Sequence, residues 1–130
     1  MQDSVFTKII KGEIPCHKVY EDDKTLAFLT IEPLNPGHTL VIPKKQVEFA
    51  WDLDEETYLA VMLTAKKVAL RIKEVLQSPY VGEMIVGTDV PHTHIHLVPF
   101  SKAAELRQLP RPATETSNEE LAALAKRLMF

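Results

Sequence analysis

The feature that most constrains the fold is a single long segment with helical periodicity, residues 54–77. Apolar side chains recur there at spacings of three and four residues, so they line one face of a helix. These side chains are Tyr58, Val61, Met62, Ala65, Val68, Ala69, Ile72 and Leu76. Asp52 followed by Glu55 offers a capping box at the start of the helix, and Pro79 ends it.

Three further leucines of this segment lie off the apolar face: Leu59, Leu63 and Leu70. A helix with this much apolar surface is expected to bury a second face as well. The covering surface is either the domain's own sheet or another subunit, and the sequence pattern leaves both interpretations open.

Short segments rich in β-forming residues lie on both sides of the helix. Residues 17–21, 25–31 and 38–42 precede it, and residues 82–87 and 92–99 follow it. A charged turn separates the first two segments, and a stretch containing proline and glycine precedes the third. Antiparallel strands with one long inserted helix predict a domain of the α+β class.

The C-terminal part of the chain carries two different signals. Residues 101–116 are polar and contain prolines, which predicts an irregular course. Ser117 and Glu120 then form another capping box, which opens a short helix. The apolar residues of that helix are Leu121, Leu124 and Leu128.

Length and composition limit the possible classes of protein. A chain of 130 residues fits one compact domain, so residues 1–130 are expected to form a single domain. With 45% hydrophobic and 25% charged residues, the chain has the composition of a globular protein. A net charge of −3 without a concentrated basic patch argues against nucleic acid as a partner.

Compartment and redox chemistry are also limited by the sequence. No segment approaches the roughly 20 apolar residues that span a bilayer, so no membrane partner is expected. The first residues lack the apolar centre of a signal peptide, which predicts a soluble, cytoplasmic protein. Cys16 is the only cysteine, so an intrachain disulfide and a cysteine-rich zinc site are both excluded.

The segment HTHIHLV places three of the five histidines at alternate positions, as His92, His94 and His96. On a strand, residues two apart share a face, so the three imidazoles are expected to point the same way. The residues between and after them would then pack on the long helix. This arrangement predicts a face of histidines that is either solvated or occupied by a ligand.

Three uses of such a face compete. The outer pair would lie about 13 Å apart at a rise of roughly 3.3 Å per residue, so the three rings cannot easily converge on one metal ion. Single histidines on strands are commonly satisfied surface or core residues, but three on one face suit that interpretation poorly. A neutral imidazole can attack phosphorus while its neighbours donate hydrogen bonds to the phosphoryl oxygens. Spacing alone does not select this chemistry over metal binding.

The segment His92-Thr93-His94-Ile95-His96-Leu97-Val98 resembles the signature of the histidine triad (HIT) family. Further stretches fit the family in the expected order: residues 6–15, 26–28, 36–44 and the long helix. The similarity runs over residues of about 4–99, which leaves 100–130 as a C-terminal tail and helix.

The resemblance implies a HIT-like fold, a five-stranded antiparallel sheet with one long helix and here a short C-terminal helix, paired into a homodimer. It also implies transfer or hydrolysis of nucleoside monophosphate groups through a covalent nucleotidyl-histidine. By motif position the nucleophile would be His94. His96 and His92 would contact the phosphoryl group, and His38 would support the site from a neighbouring strand.

The same resemblance implies an apolar pocket for the nucleobase, formed by Phe6, Ile9, Phe28 and Ile31. Thr30 occupies the position where the family often has an aspartate that holds the ribose hydroxyls. A hydroxyl can still bond to ribose, although less strongly than a carboxylate does. The expected ligand is a purine nucleotide.

Two further departures from the family pattern concern phosphate and metal. Thr88 and Asp89 lie in a short loop that the resemblance places beside the phosphate, where an ionised carboxylate would repel the ligand. Asp89 is expected either to cap the loop through Thr88 and backbone amides or to protonate the leaving group. Some members bind zinc through Cys-x-x-Cys near the N-terminus, but Ser4 and Thr7 occupy that stretch here. Neither a metal site nor a cofactor is therefore expected.

The resulting hypothesis is a nucleotide-binding hydrolase that acts at the α-phosphorus. A phosphoramidase-like activity on nucleoside phosphoramidates is favoured over hydrolysis of dinucleoside polyphosphates. Two alternatives stay open: a catalytically weak nucleotide-binding interaction module, and a histidine metalloprotein.

Overall fold

The computed structural model describes residues 2–107 and 117–130, and these residues form an alternation of strands and helices. The helices are α1 (Val5–Ile10), α2 (Glu55–Leu76) and α3 (Asn118–Leu128), with short 3₁₀ helices at Ala50–Asp52 and Ala103–Arg107. The strands are β1 (His17–Glu21), β2 (Thr25–Leu29), β3 (Thr39–Pro43), β4 (Tyr80–Met84) and β5 (Ile95–Phe100).

Within the described residues, the five strands form one antiparallel sheet in the order β1-β2-β3-β5-β4. This confirms the predicted α+β class and the five-stranded antiparallel sheet with its long helix and C-terminal helix. In the register of β3 and β5, Leu40 lies opposite His96. The strand order leaves β4 at one edge of the sheet.

The two faces of the sheet are covered by different helices. Helices α2 and α3 cover one face, where Val41, Ile95 and Leu97 join a buried cluster with Val68 and Ile72. Helix α1 covers the other face through Phe6, which packs in a second cluster. The other buried members of that cluster are Leu26, Phe28, Leu40 and Ile42. Because alternate residues of a strand point to opposite faces, His96 lies on the α1 side.

The N-cap of helix α2 lies two residues later than expected. Its N-cap is Asp54, whose carboxylate accepts a hydrogen bond from the Thr57 N–H, whereas Asp52 belongs to the preceding 3₁₀ helix. The helix ends at Leu76, because Gln77 adopts a left-handed conformation with φ of 54°, before Pro79 is reached. The predicted capping box was therefore wrong in detail, although the helix itself is confirmed.

The second apolar face of α2 does not pack against the domain's own sheet. Leu59, Leu63 and Leu70 expose 54%, 59% and 59% of their surface. Of the two interpretations that the sequence left open, the described residues exclude the sheet.

Three strand boundaries differ from those expected. β2 ends at Leu29, and β4 covers Tyr80–Met84 instead of residues 82–87. β5 begins only at Ile95, because the Thr93 N–H and hydroxyl both donate to the Val47 carbonyl, at 2.7 and 2.8 Å, instead of joining the sheet.

The C-terminal helix is capped as predicted, since the Ser117 hydroxyl accepts from the Glu120 N–H at 3.0 Å. Of the stretch predicted to be irregular, 103–107 form a 3₁₀ helix, and 108–116 lie outside the described residues. No helix among the described residues is long and apolar enough to span a membrane.

Candidate active site

The three histidines of the motif do not lie on one strand. His96 belongs to β5, whereas His92 and His94 lie in the bent segment before it. Nevertheless the His94 and His96 rings are 5.1 Å apart between centroids, and the His38 ring is 5.2 Å from that of His96. Phe6 from α1 lies against the other side of His94, at 5.1 Å. The fold therefore brings His38, His94 and His96 into one row of rings.

The proton on the His94 ring is fixed by a backbone carbonyl. The His94 Nδ1 lies 2.7 Å from the His92 carbonyl oxygen. A carbonyl only accepts hydrogen bonds, so Nδ1 must carry the proton and donate it. In a neutral imidazole the Nε2 then bears a free lone pair, which is the form that a nucleophile requires.

A second chain of hydrogen bonds fixes the protons of His38 and His96. The Leu34 N–H donates to the His38 Nδ1 at 3.1 Å, so the proton of neutral His38 lies on Nε2. That Nε2–H donates to the His96 Nδ1 at 3.0 Å. The His96 proton must then lie on its own Nε2. The site thus places the lone pair of His94 beside an available N–H of His96.

Burial keeps these rings neutral at physiological pH. It lowers the pKa of His38 to about 4, and the charge of His96 acts in the same direction. It also lowers the pKa of His96 to about 4; the charge of His94 adds to this effect and Asp89 opposes it. Protonation would break the hydrogen-bond chain, because a doubly protonated His96 could no longer accept from His38.

His92 occupies a different environment from the one expected. Its ring is fully buried, its Nε2–H donates to the Pro43 carbonyl at 2.7 Å, and its Nδ1 accepts from the Ser4 hydroxyl at 2.8 Å. Both ring nitrogens are therefore occupied within the protein. Burial also lowers the pKa of this ring, against the effect of its bond to Pro43.

This geometry corrects the expectation that His92 contacts the phosphoryl group, because its ring has neither a free N–H nor a free lone pair. Its visible contribution is the carbonyl that orients His94. Ser4 and Thr7, which occupy the stretch of the zinc-binding cysteines in some family members, lie 2.8 and 3.4 Å from the His92 Nδ1. Sequence spacing gave no signal for the bonds of His92 to Ser4 and Pro43.

A cleft of about 490 Å³ opens beside the row of histidines. All five residues proposed for the nucleotide line it: Phe6, Ile9, Phe28, Thr30 and Ile31. The Phe6 and Phe28 rings meet edge to face at 5.6 Å, and Phe6 connects the cleft to His94. The other described residues that line the cleft are Val5, Ile14, Pro15, Cys16, His17, Leu29, Leu40 and Asn118.

Two polar lining residues were missed by the sequence analysis. The His17 Nε2 lies 2.8 Å from the Asn118 Oδ1, so β1 is joined to the start of α3 at the wall of the cleft. These residues are 101 positions apart, and no local pattern connects them. Together with Thr30 they provide polar groups in an otherwise apolar cleft, which is a typical arrangement of small-molecule sites.

The loop proposed to lie beside the phosphate connects β4 to β5. Gly87 has φ of 80°, a conformation that glycine adopts without strain, and Thr88 and Asp89 that follow are exposed. The Thr88 hydroxyl donates to an Asp89 carboxylate oxygen at 3.4 Å. Among the described residues no backbone amide donates to that carboxylate, so the capping interpretation is supported by Thr88 alone.

No group of three or more histidine, cysteine, aspartate or glutamate side chains within residues 2–107 and 117–130 is arranged to hold a metal ion. The His38, His94 and His96 rings are instead held by hydrogen bonds to one another and to the backbone.

Comparison with known proteins agrees with this geometry. The family model described as the HIT domain matches residues 11–103, and the chain belongs to the histidine triad family. It is 43% identical over 109 residues to an uncharacterized HIT-like protein of Borreliella burgdorferi. That match covers 78% of this chain and 78% of the other protein.

Two other relatives match almost the whole chain. An adenosine 5′-monophosphoramidase, hnt1 of Schizosaccharomyces pombe, is 34% identical over 128 residues, covering 95% of this chain and 94% of that protein. The crystal structure of a Hit-like protein involved in cell-cycle regulation from Bartonella henselae superposes with a TM-score of 0.84 at 34% identity. That match covers 97% of this chain and 94% of the other.

Proposed function

We propose that this protein hydrolyses nucleotides at the α-phosphorus through a covalent nucleotidyl intermediate on His94. The observation that carries the proposal is the hydrogen bond from the His94 Nδ1 to the His92 carbonyl, which leaves the Nε2 lone pair free. A nucleophilic imidazole divides one difficult displacement into two easier steps.

In the first step the His94 Nε2 forms a bond to phosphorus while the bond from phosphorus to the leaving group breaks. The His96 Nε2–H donates a hydrogen bond to a phosphoryl oxygen, where negative charge concentrates. In the second step water attacks the phosphorus and the bond to His94 breaks. The leaving group takes up one proton and the attacking water releases one, so the protonation of the site is unchanged after a cycle.

Within this class we favour a phosphoramidase acting on a purine nucleotide. The relative from Schizosaccharomyces pombe carries that activity in its name. The Phe6 and Phe28 rings offer aromatic surfaces to a flat base. Thr30, half-buried on the cleft wall, is the group that we assign to the ribose hydroxyls.

The proposal includes a homodimer in the cytoplasm. Leu59, Leu63 and Leu70 form an exposed apolar stripe on α2, and β4 is an edge strand. Tyr80 and Met84 of this strand are also exposed, by 57% and 40%. A second copy that covers these surfaces would bury the apolar area and satisfy the strand edge. Cys16 has a free thiol, which is compatible with a reducing compartment.

The decisive experiment measures AMP release from adenosine 5′-phosphoramidate by the native protein and by a His94→Gly variant. We expect the variant to lose at least about a thousandfold in kcat/KM, since removing a covalent nucleophile commonly costs several kcal/mol of barrier. Added imidazole should restore part of the activity, because it can enter the vacated space. Rescue separates loss of the nucleophile from loss of the fold.

Undiminished turnover in the glycine variant would rule out His94 as the nucleophile. Brief acid-free quenching with labelled substrate should also trap nucleotide on the native chain and not on the variant. A native protein that binds AMP but turns over neither phosphoramidates nor dinucleoside polyphosphates would favour the interaction-module alternative.

A further inference from the structure

Asp89 lies on the same side of the sheet as His96. The next residue, Val90, packs against the cluster that contains Phe6 and covers this face. The Val90 carbonyl also accepts from the His92 N–H at 2.7 Å, which ties the loop to the histidine segment. The charge of Asp89 reaches His96 and raises the pKa of that ring against the effect of burial.

The charge of Asp89 is not compensated nearby. It forms no ion pair within residues 2–107 and 117–130. None of the described residues that line the cleft is lysine or arginine. The lysines that follow β3 are paired elsewhere, Lys44 with Glu21 at 2.8 Å and Lys45 with Asp54 at 2.9 Å. A site for an anionic phosphoryl group therefore carries one exposed carboxylate without a neutralising cation.

The position of Asp89 relative to the cleft indicates which part of a substrate it would meet. The residues of its loop, 87–90, are not among the lining residues of the cleft. A nucleotide whose base fills the cleft beside Phe6 has its phosphorus at His94 and His96. Its leaving group then extends away from the base and out of the cleft, beside the His96 ring that the charge of Asp89 reaches.

We propose that Asp89 selects substrates by the charge of their leaving group, favouring cationic amines over anionic groups such as polyphosphates. This inference rests on the proposed hydrolysis at the α-phosphorus. Asp89 is then a specificity-determining residue that takes no part in the proton transfers. This role explains why a carboxylate lies beside a phosphate site, because the carboxylate repels most strongly the anionic leaving groups that the site excludes.

The expected size of the effect follows from Coulomb's law. Two unit charges about 8 Å apart in water interact by roughly the thermal energy, which corresponds to a factor of about two to three in rate for each unit of charge. A change from a cationic to an anionic leaving group should therefore change kcat/KM roughly fivefold to tenfold. Because Asp89 is exposed, salt should weaken this discrimination.

The test uses three AMP phosphoramidates made from ethylenediamine, propylamine and glycine. They share the same reacting P–N bond and nearly the same size, and differ in a terminal group that is cationic, neutral or anionic. In each, the P–N bond breaks as the bond to His94 forms, and the amine nitrogen takes up one proton. The measurement is kcat/KM for each compound at low and high salt.

We expect the native protein to prefer the cationic amide over the anionic one by roughly fivefold to tenfold at low salt. Asp89→Asn should reduce the difference to less than about twofold, and Asp89→Glu should retain it. Glu74→Gln is the matched control: it removes one negative charge from α2, on the opposite face of the sheet, where the Glu74 side chain is 75% exposed. It should retain the native preference.

Native hydrolysis of all three amides at equal rates would overturn this inference while the proposed hydrolase stands. The same holds if Asp89→Asn keeps the native preference. An Asp89→Asn protein that binds AMP normally but hydrolyses none of them would also overturn it, because a charge selector is not required for the chemistry. If the native protein hydrolyses dinucleoside polyphosphates but none of the three amides, this inference is overturned while hydrolysis at the α-phosphorus stands. If it hydrolyses neither, the proposed function itself fails.

Discussion

At the scale of single residues, the rings of His92 and His96 are oriented by partners that lie far away in the sequence. His96 receives its bond from His38, 58 residues earlier, and His92 is held by Ser4, 88 residues earlier. One misplaced proton would leave His94 without a lone pair at Nε2. The His94 proton is set within the motif by the His92 carbonyl, whereas His96 and His92 depend on donors that the motif does not contain.

The lowered pKa values of His38 and His96 predict how stability depends on pH. Well above a pH of about 6.5 both rings are neutral in the folded and the unfolded chain, so their effect on stability is at its full value. As the pH falls from about 6.5 toward about 4, the unfolded chain binds protons at these two rings and the folded chain does not. The free energy of unfolding should then fall by about 1.4 kcal/mol per pH unit for each additional proton.

Urea unfolding at pH values between about 7.5 and 5 measures this slope. A His38→Asn variant removes one of the titrating rings, so its slope between pH 6 and pH 5 should be smaller than that of the native chain. The carboxylates with lowered pKa, such as Asp22, lose their contribution at lower pH and do not interfere in this range. An equal slope in both proteins would mean that His38 is not kept neutral by burial.

At the scale of elements, the helices followed the sequence pattern more closely than the strand ends did. The apolar face of α2 and the cap of α3 at Ser117 depend on residues three or four apart, so local spacing was sufficient. The start of β5 was predicted at residue 92 but lies at Ile95. The reason is that Thr93 donates its hydrogen bonds to the Val47 carbonyl instead of pairing in the sheet. A competing partner 46 residues away leaves no mark on the alternation of apolar and polar residues.

The corrected cap of α2 gives a direct comparison of two aspartates. Asp54→Ala removes the acceptor for the Thr57 N–H and the partner of Lys45, so the midpoint of thermal unfolding should fall by a few degrees. Asp52→Ala should change it by less than about 1 °C, since that residue is not the cap. Thermal melts followed by circular dichroism distinguish the two; a larger effect at Asp52 would restore the capping box expected from the sequence.

At the scale of the whole molecule, the oligomeric state tests whether a second copy covers the exposed apolar stripe of α2. We expect light scattering after size-exclusion chromatography to give twice the chain mass of 14.7 kDa. Leu63→Glu places a charge within the exposed apolar stripe and should shift the protein toward the monomer. Lys126→Glu introduces the same side chain on α3, which packs on β1 at the other edge of the sheet, and should leave the mass unchanged.

A native protein that elutes as a monomer at micromolar concentration would contradict the proposed dimer. A dimer that tolerates Leu63→Glu would place the contact elsewhere, for instance along the edge strand β4 alone. The single-domain organisation of residues 1–130 stays a prediction, because 108–116 lie outside the described residues.

The sequence by itself determined the α+β class, the order of the elements, the burial of Ile95 and Leu97 under α2 and five of the residues that line the cleft. These follow from periodicities of two and of three to four residues and from family motifs, which are local properties of the chain. Only the tertiary structure decided that the His92 ring is buried with both nitrogens occupied and that His17 meets Asn118. Those outcomes depend on which donor and which acceptor are brought together across distant segments, because a buried polar group must find a partner wherever the fold supplies one.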